Sequence, residues 1–306
     1  MNLREVISKL KGERVKRVLI QIPDGLRVKS VEILKEIESN GIEAVLWAEH
    51  TYGACDIPEN EAKKLGCDAI LHFGHEDFGV KTSLKVFYFP IFYPLELKEL
   101  KKEVRKISNY KRLCLLSSVQ FTKNLKKVKE ILEEEGFSVI VPKVLKIRGM
   151  ILGCTYNFVK NMDKKIDAYL IITSGKFHGL AIALKSSKKV FVYDVEKKKI
   201  INLEEEKKRL KKIIEWNKSK FKEAKKIGLL ISVKAGQFQS PHSLKKKIES
   251  LGKEVYVFVM NEITPEKLEG LDVDLFINTA CPRIGMEDLP NYKKPILNAE
   301  EILDFL

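Results

Sequence analysis

The sequence predicts an α/β protein made of three similar Rossmann-like units, each with a mainly parallel four-stranded sheet flanked by helices, in a pseudo-threefold arrangement. Short apolar segments alternate with amphipathic segments of helical length, a pattern typical of parallel strands covered on both faces. The pattern restarts near residues 112 and 227. Each repeat also carries one cysteine in a loop of small residues, at Cys55, Cys154 and Cys281. We therefore expect domains at residues 1–100, 101–202 and 203–306, of a size that suits one core each.

The first unit begins with a charged amphipathic helix and then alternates strands with helices. Apolar segments predict strands at 15–22, 42–48, 68–73 and 85–89, with helices at 28–39 and 59–65. Asn40 and Gly41 end the first of these helices, as such residues commonly do. The loop of Cys55 follows the second strand.

The second and third units repeat the plan with differences in the connections. For the second unit, the pattern predicts a helical connector at 97–110, strands at 112–117, 137–142, 167–173 and 190–194, and helices at 125–135 and 158–165. For the third it predicts helices at 203–225, 241–251 and 265–268, and strands at 227–233, 254–260, 273–278 and 294–297. Cys154 follows a second strand, as Cys55 does, whereas Cys281 follows a third. Because ligands of open α/β sheets bind at the carboxyl ends of the strands, we expect the three loops to meet.

The composition excludes several classes of protein. Of 306 residues, 44% are hydrophobic and 32% charged, and no apolar stretch approaches the length of a membrane span. The N-terminus lacks the apolar segment of a secretory signal, so a cytoplasmic protein is expected. The net charge of +14 suits a nucleic-acid partner, but the lysines are spread over helices without interleaved aromatics. We interpret them as solvated helix faces and do not expect direct nucleic-acid binding.

The cysteines indicate metal binding or catalysis rather than disulfides, because their number is odd and no export signal is evident. Cys67 and Cys114 lie next to or inside apolar segments and are interpreted as core residues. The other three are separated by 99 (154 − 55) and 127 (281 − 154) residues, without any C-x-x-C pair. Zinc held by three thiolates and water fits this pattern. An iron–sulfur cluster with one iron lacking a protein ligand fits it as well.

Several motifs resemble those of the archaeal Dph2 family of diphthamide-synthesis enzymes. They are QIPDGL (21–26), TYGACDIPENEAKKLGCDAILHFGH (51–75), GMILGC (149–154), SGKFHGLAIAL (174–184), LLISVKAGQ (229–237) and NTACPRIG (278–285). The resemblance runs from about residue 15 to Glu300. It implies three α/β domains that each donate one cysteine, here Cys55, Cys154 and Cys281, to a [4Fe–4S] cluster.

The resemblance also implies an activity and its partners. Members of the family bind S-adenosylmethionine at the open iron and transfer its 3-amino-3-carboxypropyl group to a histidine of translation elongation factor 2. This is the first step of diphthamide formation, and it releases methylthioadenosine by a radical mechanism that differs from that of the usual radical enzymes. The chain is accordingly expected to be a homodimer that depends on an unidentified electron donor.

Five further residues are candidates for binding and catalysis, each with an ordinary structural alternative. His75 and His178 follow glycines near the ends of third strands, where they can contact substrate or handle a proton, or simply bond to backbone. Gln237 and Arg283 are candidates for the amino acid end of the cofactor, although Arg283 can also brace its own loop. Asp24 can accept from a ribose hydroxyl or only shape its turn.

Two other functions remain compatible with the residues. One keeps the transfer chemistry and changes the acceptor to RNA, which the positive charge suggests. The other is a non-catalytic iron–sulfur or zinc protein that senses redox state. Release of methylthioadenosine from S-adenosylmethionine distinguishes either enzyme from the sensor.

Overall fold

The first β-sheet is built from the N-terminal third of the chain. The structure is a computed structural model and describes residues 3–306, so Met1 and Asn2 of the predicted N-terminal helix lie outside the described residues. Its elements are α1 (Leu3–Gly12), β1 (Arg17–Gln21), α2 (Ser30–Glu38), β2 (Glu43–Trp47), α3 (Glu59–Lys64), β3 (Ala69–Phe73) and β4 (Lys85–Phe89). A 3-10 helix, Asp24–Lys29, precedes α2 and occupies the start of the predicted helix.

The second and third sheets follow in order along the chain. The second is formed with α4 (Leu97–Val104), β5 (Arg112–Ser117), α5 (Leu125–Glu134), β6 (Ser138–Ile140), α6 (Val159–Met162), β7 (Ala168–Thr173), α7 (Phe177–Lys185), β8 (Lys189–Asp194) and β9 (Lys199–Asn202). The third is formed with α8 (Glu204–Glu223), β10 (Lys226–Ser232), α9 (His242–Glu249), β11 (Glu254–Met260), α10 (Pro265–Leu268), β12 (Leu275–Asn278) and β13 (Ile296–Asn298). Further 3-10 turns lie at Arg105–Ile107, Val119–Asn124, Pro282–Gly285, Leu289–Asn291 and Ala299–Phe305.

All three sheets share one strand order, which confirms the predicted fold class. The orders are β2-β1-β3-β4, β6-β5-β7-β8-β9 and β11-β10-β12-β13, and the first four strands of each are parallel. The chain runs from the first strand to one side and then returns to the other. The carboxyl ends of the first and third strands therefore flank a switch point in every sheet, the place where α/β sheets bind ligands.

Two elements of the second sheet differ from the prediction. The sheet has five strands rather than four, because β9 pairs antiparallel with the edge strand β8. The carboxylate of Asp194 accepts the backbone N–H groups of Glu196 and Lys197, and Lys198 has a left-handed φ of 54°, so the chain reverses tightly there. Helix α7 was not predicted either, since Phe177 and His178 were placed at the end of the preceding strand and no element was assigned to the apolar residues after them.

One aspartate in each sheet fixes the start of the first strand. These residues, Asp68, Asp167 and Asp274, each come directly before the third strand of their sheet. Each carboxylate accepts two consecutive backbone N–H groups at distances of 2.7–3.1 Å. The donors are residues 16 and 17, 111 and 112, and 225 and 226. Two bonds to one charged acceptor satisfy groups that the sheet leaves unpaired, so the repeat extends to individual hydrogen bonds.

The chain packs as two compact units. One contains the residues up to Phe92 together with Lys234–Gln237, and the other contains Tyr93–Val233 and Phe238–Leu306. The first unit holds the first sheet, with apolar clusters on both of its faces. The second unit holds the other two sheets, which are also covered on both faces. The domain boundaries at residues 100 and 202 stay a prediction. Within residues 3–306, no helix is both long and apolar enough to cross a membrane.

Candidate metal centre

The loop of Cys55 is held by a short segment from far along the chain. Cys55 is half-buried, and its carbonyl accepts a 2.8 Å hydrogen bond from the N–H of Gly236. The side-chain Nε2 of Gln237 donates to the sulfur of Cys55 at 3.4 Å. A Cβ added at Gly236 would lie 2.5 Å from the Cα of Cys55, so only glycine permits this approach. The sulfur of Cys55 is therefore held by its own loop and by a hydrogen bond from a segment 182 positions away in the sequence.

An ion pair reinforces the same contact. Lys234 Nζ lies 2.6 Å from Asp56 Oδ2, and the two side chains are only 12% and 13% exposed. The ammonium also lies 4.3 Å from the centre of the Tyr52 ring, within cation–π range. Breaking such a shielded pair leaves one charge uncompensated, which costs more than breaking an exposed pair. The segment 234–237 is therefore a structural part of the Cys55 loop.

The loops of Cys154 and Cys281 contact one aromatic ring in the second unit. A Cβ at Gly153 would lie 2.1 Å from Cε1 of Phe177, so the glycine packs against the ring without space for a side chain. The guanidinium of Arg283 lies 5.6 Å from the centre of the same ring. Phe177 belongs to α7 and thereby brings these two cysteine loops into one neighbourhood. Cys154 as a whole is exposed, but the protein around its thiol partly desolvates it and thereby raises its pKa.

Two asparagines at strand ends fix the loop of Cys281. Asn278 is the last residue of β12, and its Nδ2 donates to the carbonyl of Cys281 at 2.8 Å and to Asn298 Oδ1 at 2.7 Å. Asn298 ends β13 and donates to the carbonyl of Pro282 at 3.1 Å. Both asparagines are buried. Since buried polar groups are stable only when paired, this network determines the course of the backbone around the half-buried Cys281.

The other candidate residues have varied surroundings. Asp24 lies at the surface, 2.6 Å from His50 Nδ1 and 3.0 Å from a guanidinium nitrogen of Arg27. Arg283 forms ion pairs with two neighbouring carboxylates, at 3.0 Å from Glu287 and 3.2 Å from Asp288. His178 lies in the first turn of α7, with its Nδ1 3.5 Å from the hydroxyl of Thr173. The structure gives Gln237 a sulfur contact, and the cofactor roles of all these residues stay predictions.

A buried polar chain connects His75 to the Cys55 loop. Gln21 Nε2 donates to the carbonyl of Asp56 at 2.5 Å, and Gln21 Oε1 lies 2.6 Å from Nδ1 of His72. The other ring nitrogen of His72 lies 2.9 Å from Nδ1 of His75. Burial lowers the pKa of His72 to about 3 and that of His75 to about 4, although a hydrogen bond from the His75 ring to the backbone carbonyl of Phe73 opposes the second shift. Both rings are therefore neutral at pH 7.

Most of the residues that support these loops were not identified from the sequence. They are Gln21, His72, Phe177, Asn278 and Asn298. A signal was present for four of them, because each is a polar residue at, or one residue before, the carboxyl end of a mainly apolar strand. A buried polar side chain at this edge of a sheet needs a polar partner, and in α/β sheets that edge is where loops and ligands lie. Phe177 had no comparable signal, since its importance comes from packing.

The donor set fits an iron–sulfur cluster chemically. All three candidate ligands are thiols, the usual ligands of such clusters, and the sulfur of Cys55 already accepts the kind of hydrogen bond that tunes cluster potentials. As placed in residues 3–306, no group of three or more His, Cys, Asp or Glu side chains can hold a single metal ion. Cys55 belongs to the first unit, and Cys154 and Cys281 belong to the second. The convergence of all three thiols stays a prediction.

Sequence comparison places the chain among proteins of diphthamide synthesis. Residues 22–305 match the profile of the diphthamide synthesis protein family. A 2-(3-amino-3-carboxypropyl)histidine synthase from Pyrococcus horikoshii is 33% identical over 97% of this chain and 88% of its own length. The protein of the same name from Methanocaldococcus jannaschii is 30% identical over 95% of this chain and 84% of its own length.

Structure comparison gives the same neighbours. The crystal structure of Dph2 from P. horikoshii superposes with a TM-score of 0.90 at 32% identity, covering 99% of this chain and 89% of that one. A second crystal structure of that protein, with a 4Fe–4S cluster, superposes with a TM-score of 0.89 over the same shares.

Proposed function

The chain belongs to the diphthamide synthesis protein family, and on this premise we propose that it is a 2-(3-amino-3-carboxypropyl)histidine synthase. In this function it transfers the 3-amino-3-carboxypropyl group of S-adenosylmethionine to a histidine of translation elongation factor 2 and releases methylthioadenosine. The observation that carries the proposal is the match to the named synthases over nearly the whole chain, together with a family match over residues 22–305, a range that contains all three cysteines. An enzyme that modifies an elongation factor acts in the cytoplasm.

We assign Cys55, Cys154 and Cys281 as the ligands of a [4Fe–4S] cluster. Such a cluster supplies a low-potential electron and, with three thiolate ligands, one iron position open to the cofactor. The residues around the thiols support this assignment. Gln237 donates to the sulfur of Cys55, and Gly153 and Gly236 leave room for close packing beside two of the ligands.

The remaining candidate residues are proposed to bind the two substrates. Asp24, Gln237 and Arg283 are assigned to the cofactor, and His75 and His178 to the acceptor. Arg283 reaches a substrate carboxylate only by exchanging its present carboxylate partners, Glu287 and Asp288. Of the five, His75 is the one whose ring is fixed by a 2.9 Å hydrogen bond to a fully buried side chain, that of His72.

Anaerobic turnover with dithionite tests the proposal. Reduced protein, S-adenosylmethionine and elongation factor 2 should give methylthioadenosine, together with the mass of one aminocarboxypropyl group on the elongation factor. Cys55→Ala, Cys154→Ala and Cys281→Ala should each abolish both products. Dominant 5′-deoxyadenosine would refute the bond selectivity, and stoichiometric zinc without iron would refute the cluster. Turnover with RNA in place of the elongation factor would support the alternative acceptor, and no turnover with either would support the redox sensor.

The assembly is proposed to be a homodimer that receives its electron from a separate donor protein. All three candidate ligands are present in one chain, so a second copy need not complete the thiol set. Two-fold dimers are the commonest assemblies of soluble proteins. Light scattering should give twice the mass of 35.1 kDa. A fully active monomer would contradict this assignment.

A further inference from the structure

The buried series of hydrogen bonds from Asp56 through Gln21 and His72 to His75 fixes which ring nitrogens carry protons. The carbonyl oxygen of Asp56 can only accept, so the atom of Gln21 that faces it at 2.5 Å must be the amide nitrogen. The other amide atom, Oε1, then faces His72 and is also only an acceptor. The orientation of the glutamine amide is therefore set by the backbone of the Cys55 loop.

The protons of the two histidine rings are fixed in the same way. Nδ1 of His72 must carry a proton because it faces Gln21 Oε1 at 2.6 Å. His72 is neutral and fully buried, so its Nε2 is an unprotonated acceptor. Nδ1 of His75, at 2.9 Å, must donate to it, since a proton on the other nitrogen would leave two lone pairs facing each other. The neutral ring of His75 therefore has an unprotonated Nε2.

The position of His75 in the first sheet indicates which kind of group can donate a hydrogen bond to its Nε2. Gln21 ends β1 and His72 lies near the end of β3, so the chain of bonds follows the switch point of the first sheet. It begins at the residue next to Cys55 in sequence. His72 is fully buried whereas His75 is half-buried, so the chain ends at the more accessible of the two rings.

We propose that the unprotonated Nε2 of His75 accepts a hydrogen bond from the ring N–H of the histidine that receives the aminocarboxypropyl group. The proposal rests on the function proposed above and adds an atom and a role to it. An imidazole held through its N–H has its tautomer fixed and its carbon atoms turned in a defined direction. His72 and Gln21 do not contact the acceptor and are positioning residues.

The surroundings favour a neutral donor over the ammonium group of the cofactor. Burial disfavours the charged form of both histidines, and the same loss of water penalises a cation bound beside them. A neutral N–H carries no such penalty. Since a net hydrogen bond contributes about 1 kcal/mol, its loss should weaken acceptor binding roughly five- to tenfold.

Nitrogen NMR on the anaerobic protein tests the assignment without turnover. At pH 7, the spectrum should show a protonated Nδ1 and an unprotonated Nε2 for His75. Addition of unmodified elongation factor 2 should shift Nε2 of His75 and leave the ring of the exposed His242 unchanged. A protonated Nε2, or no shift on saturation with the elongation factor, would overturn the proposal. Gln21→Met removes the oxygen that keeps the proton of His72 on Nδ1. His72 can then exist in both tautomers, and the spectrum of His75 should show a mixture of its two tautomers as well.

Kinetics separate this proposal from the function on which it rests. His75→Ala should raise the KM for elongation factor 2 by roughly five- to tenfold and leave the KM for S-adenosylmethionine unchanged. The rate of S-adenosylmethionine cleavage without acceptor is measured for the same variant, and a fall as large as the change in the KM for elongation factor 2 would refute the acceptor contact. His242→Ala is the matched control and should change none of these values. A rise in the KM for S-adenosylmethionine instead would assign His75 to the cofactor and refute the acceptor contact. If wild-type protein does not cleave S-adenosylmethionine, the proposed function fails, and the NMR titration still decides the binding.

Discussion

Replacing Gly236 by alanine tests how the Cys55 loop is held. The added Cβ would lie 2.5 Å from the Cα and 2.7 Å from the Cβ of Cys55. Carbon atoms in contact are about 3.5–4.0 Å apart, so the two segments must separate by about 1 Å. Gly236 does not have a left-handed φ, so alanine is disfavoured by this contact and not by its backbone conformation.

The separation should weaken two hydrogen bonds along with the packing. These are the bond from the N–H of Gly236 to the carbonyl of Cys55 and the bond from Gln237 to its sulfur, now 2.8 Å and 3.4 Å long. Overpacking of this kind typically costs about 1–3 kcal/mol of unfolding free energy. A displacement of about 1 Å at a ligand should also lower the iron content of the anaerobically reconstituted protein, because ligand geometry must be held closely.

Denaturant unfolding and iron analysis of the same preparations measure both effects. Gly12→Ala is the matched control, because a Cβ there meets nothing within 4 Å and the residue ends helix α1. It should leave iron content unchanged and slightly raise stability, as alanine favours helix more than glycine does. An unfolding free energy and an iron content of Gly236→Ala equal to those of the wild type would refute the contact between the segment 234–237 and the Cys55 loop.

Three further predictions concern other parts of the chain. Cys67→Ala and Cys114→Ala should keep wild-type iron content, since both thiols are buried core residues, and each should cost about 1 kcal/mol of stability. Phe177→Ala should speed alkylation of Cys154 in iron-free protein by removing the ring against which Gly153 packs, and an unchanged rate would contradict that packing. Burial raises the pKa of Glu301 from 4.5 to about 7, so its contribution to stability is complete below pH 4.5 and is lost as the pH rises through 7. Glu301→Gln should therefore remove up to about 3 kcal/mol of pH dependence between pH 4.5 and 8 in unfolding experiments, and an unaltered profile would show that Glu301 titrates normally.

The amino-acid sequence by itself was enough to locate most strands and the three cysteine loops. The strands Lys85–Phe89, Arg112–Ser117 and Glu254–Met260 begin and end at the predicted residues. These strands can be predicted from the sequence because a strand buried on both faces is a continuous apolar segment, and its ends are marked by polar or small residues. The quoted motifs were also sufficient to identify the family, because they are long and cover the chain.

Elements with weak local patterns were decided by tertiary structure. β9 is a short edge strand in a lysine-rich segment, and it forms because the turn after Asp194 places it beside β8. Helix α7 is apolar on nearly all sides because it is buried, so it lacks the amphipathic pattern that identifies a surface helix.

The environment of the site residues was likewise decided by tertiary structure. Gln237 and Cys55 are 182 positions apart, and Gln21 and His72 are 51 apart, yet each pair is joined by a hydrogen bond. Side-chain identity limits which chemistry a residue can perform, and the sequence shows that identity directly. Partner, proton position and pKa depend on which distant residues fold against it, and burial at the switch point of the first sheet is what makes His72 and His75 a neutral pair.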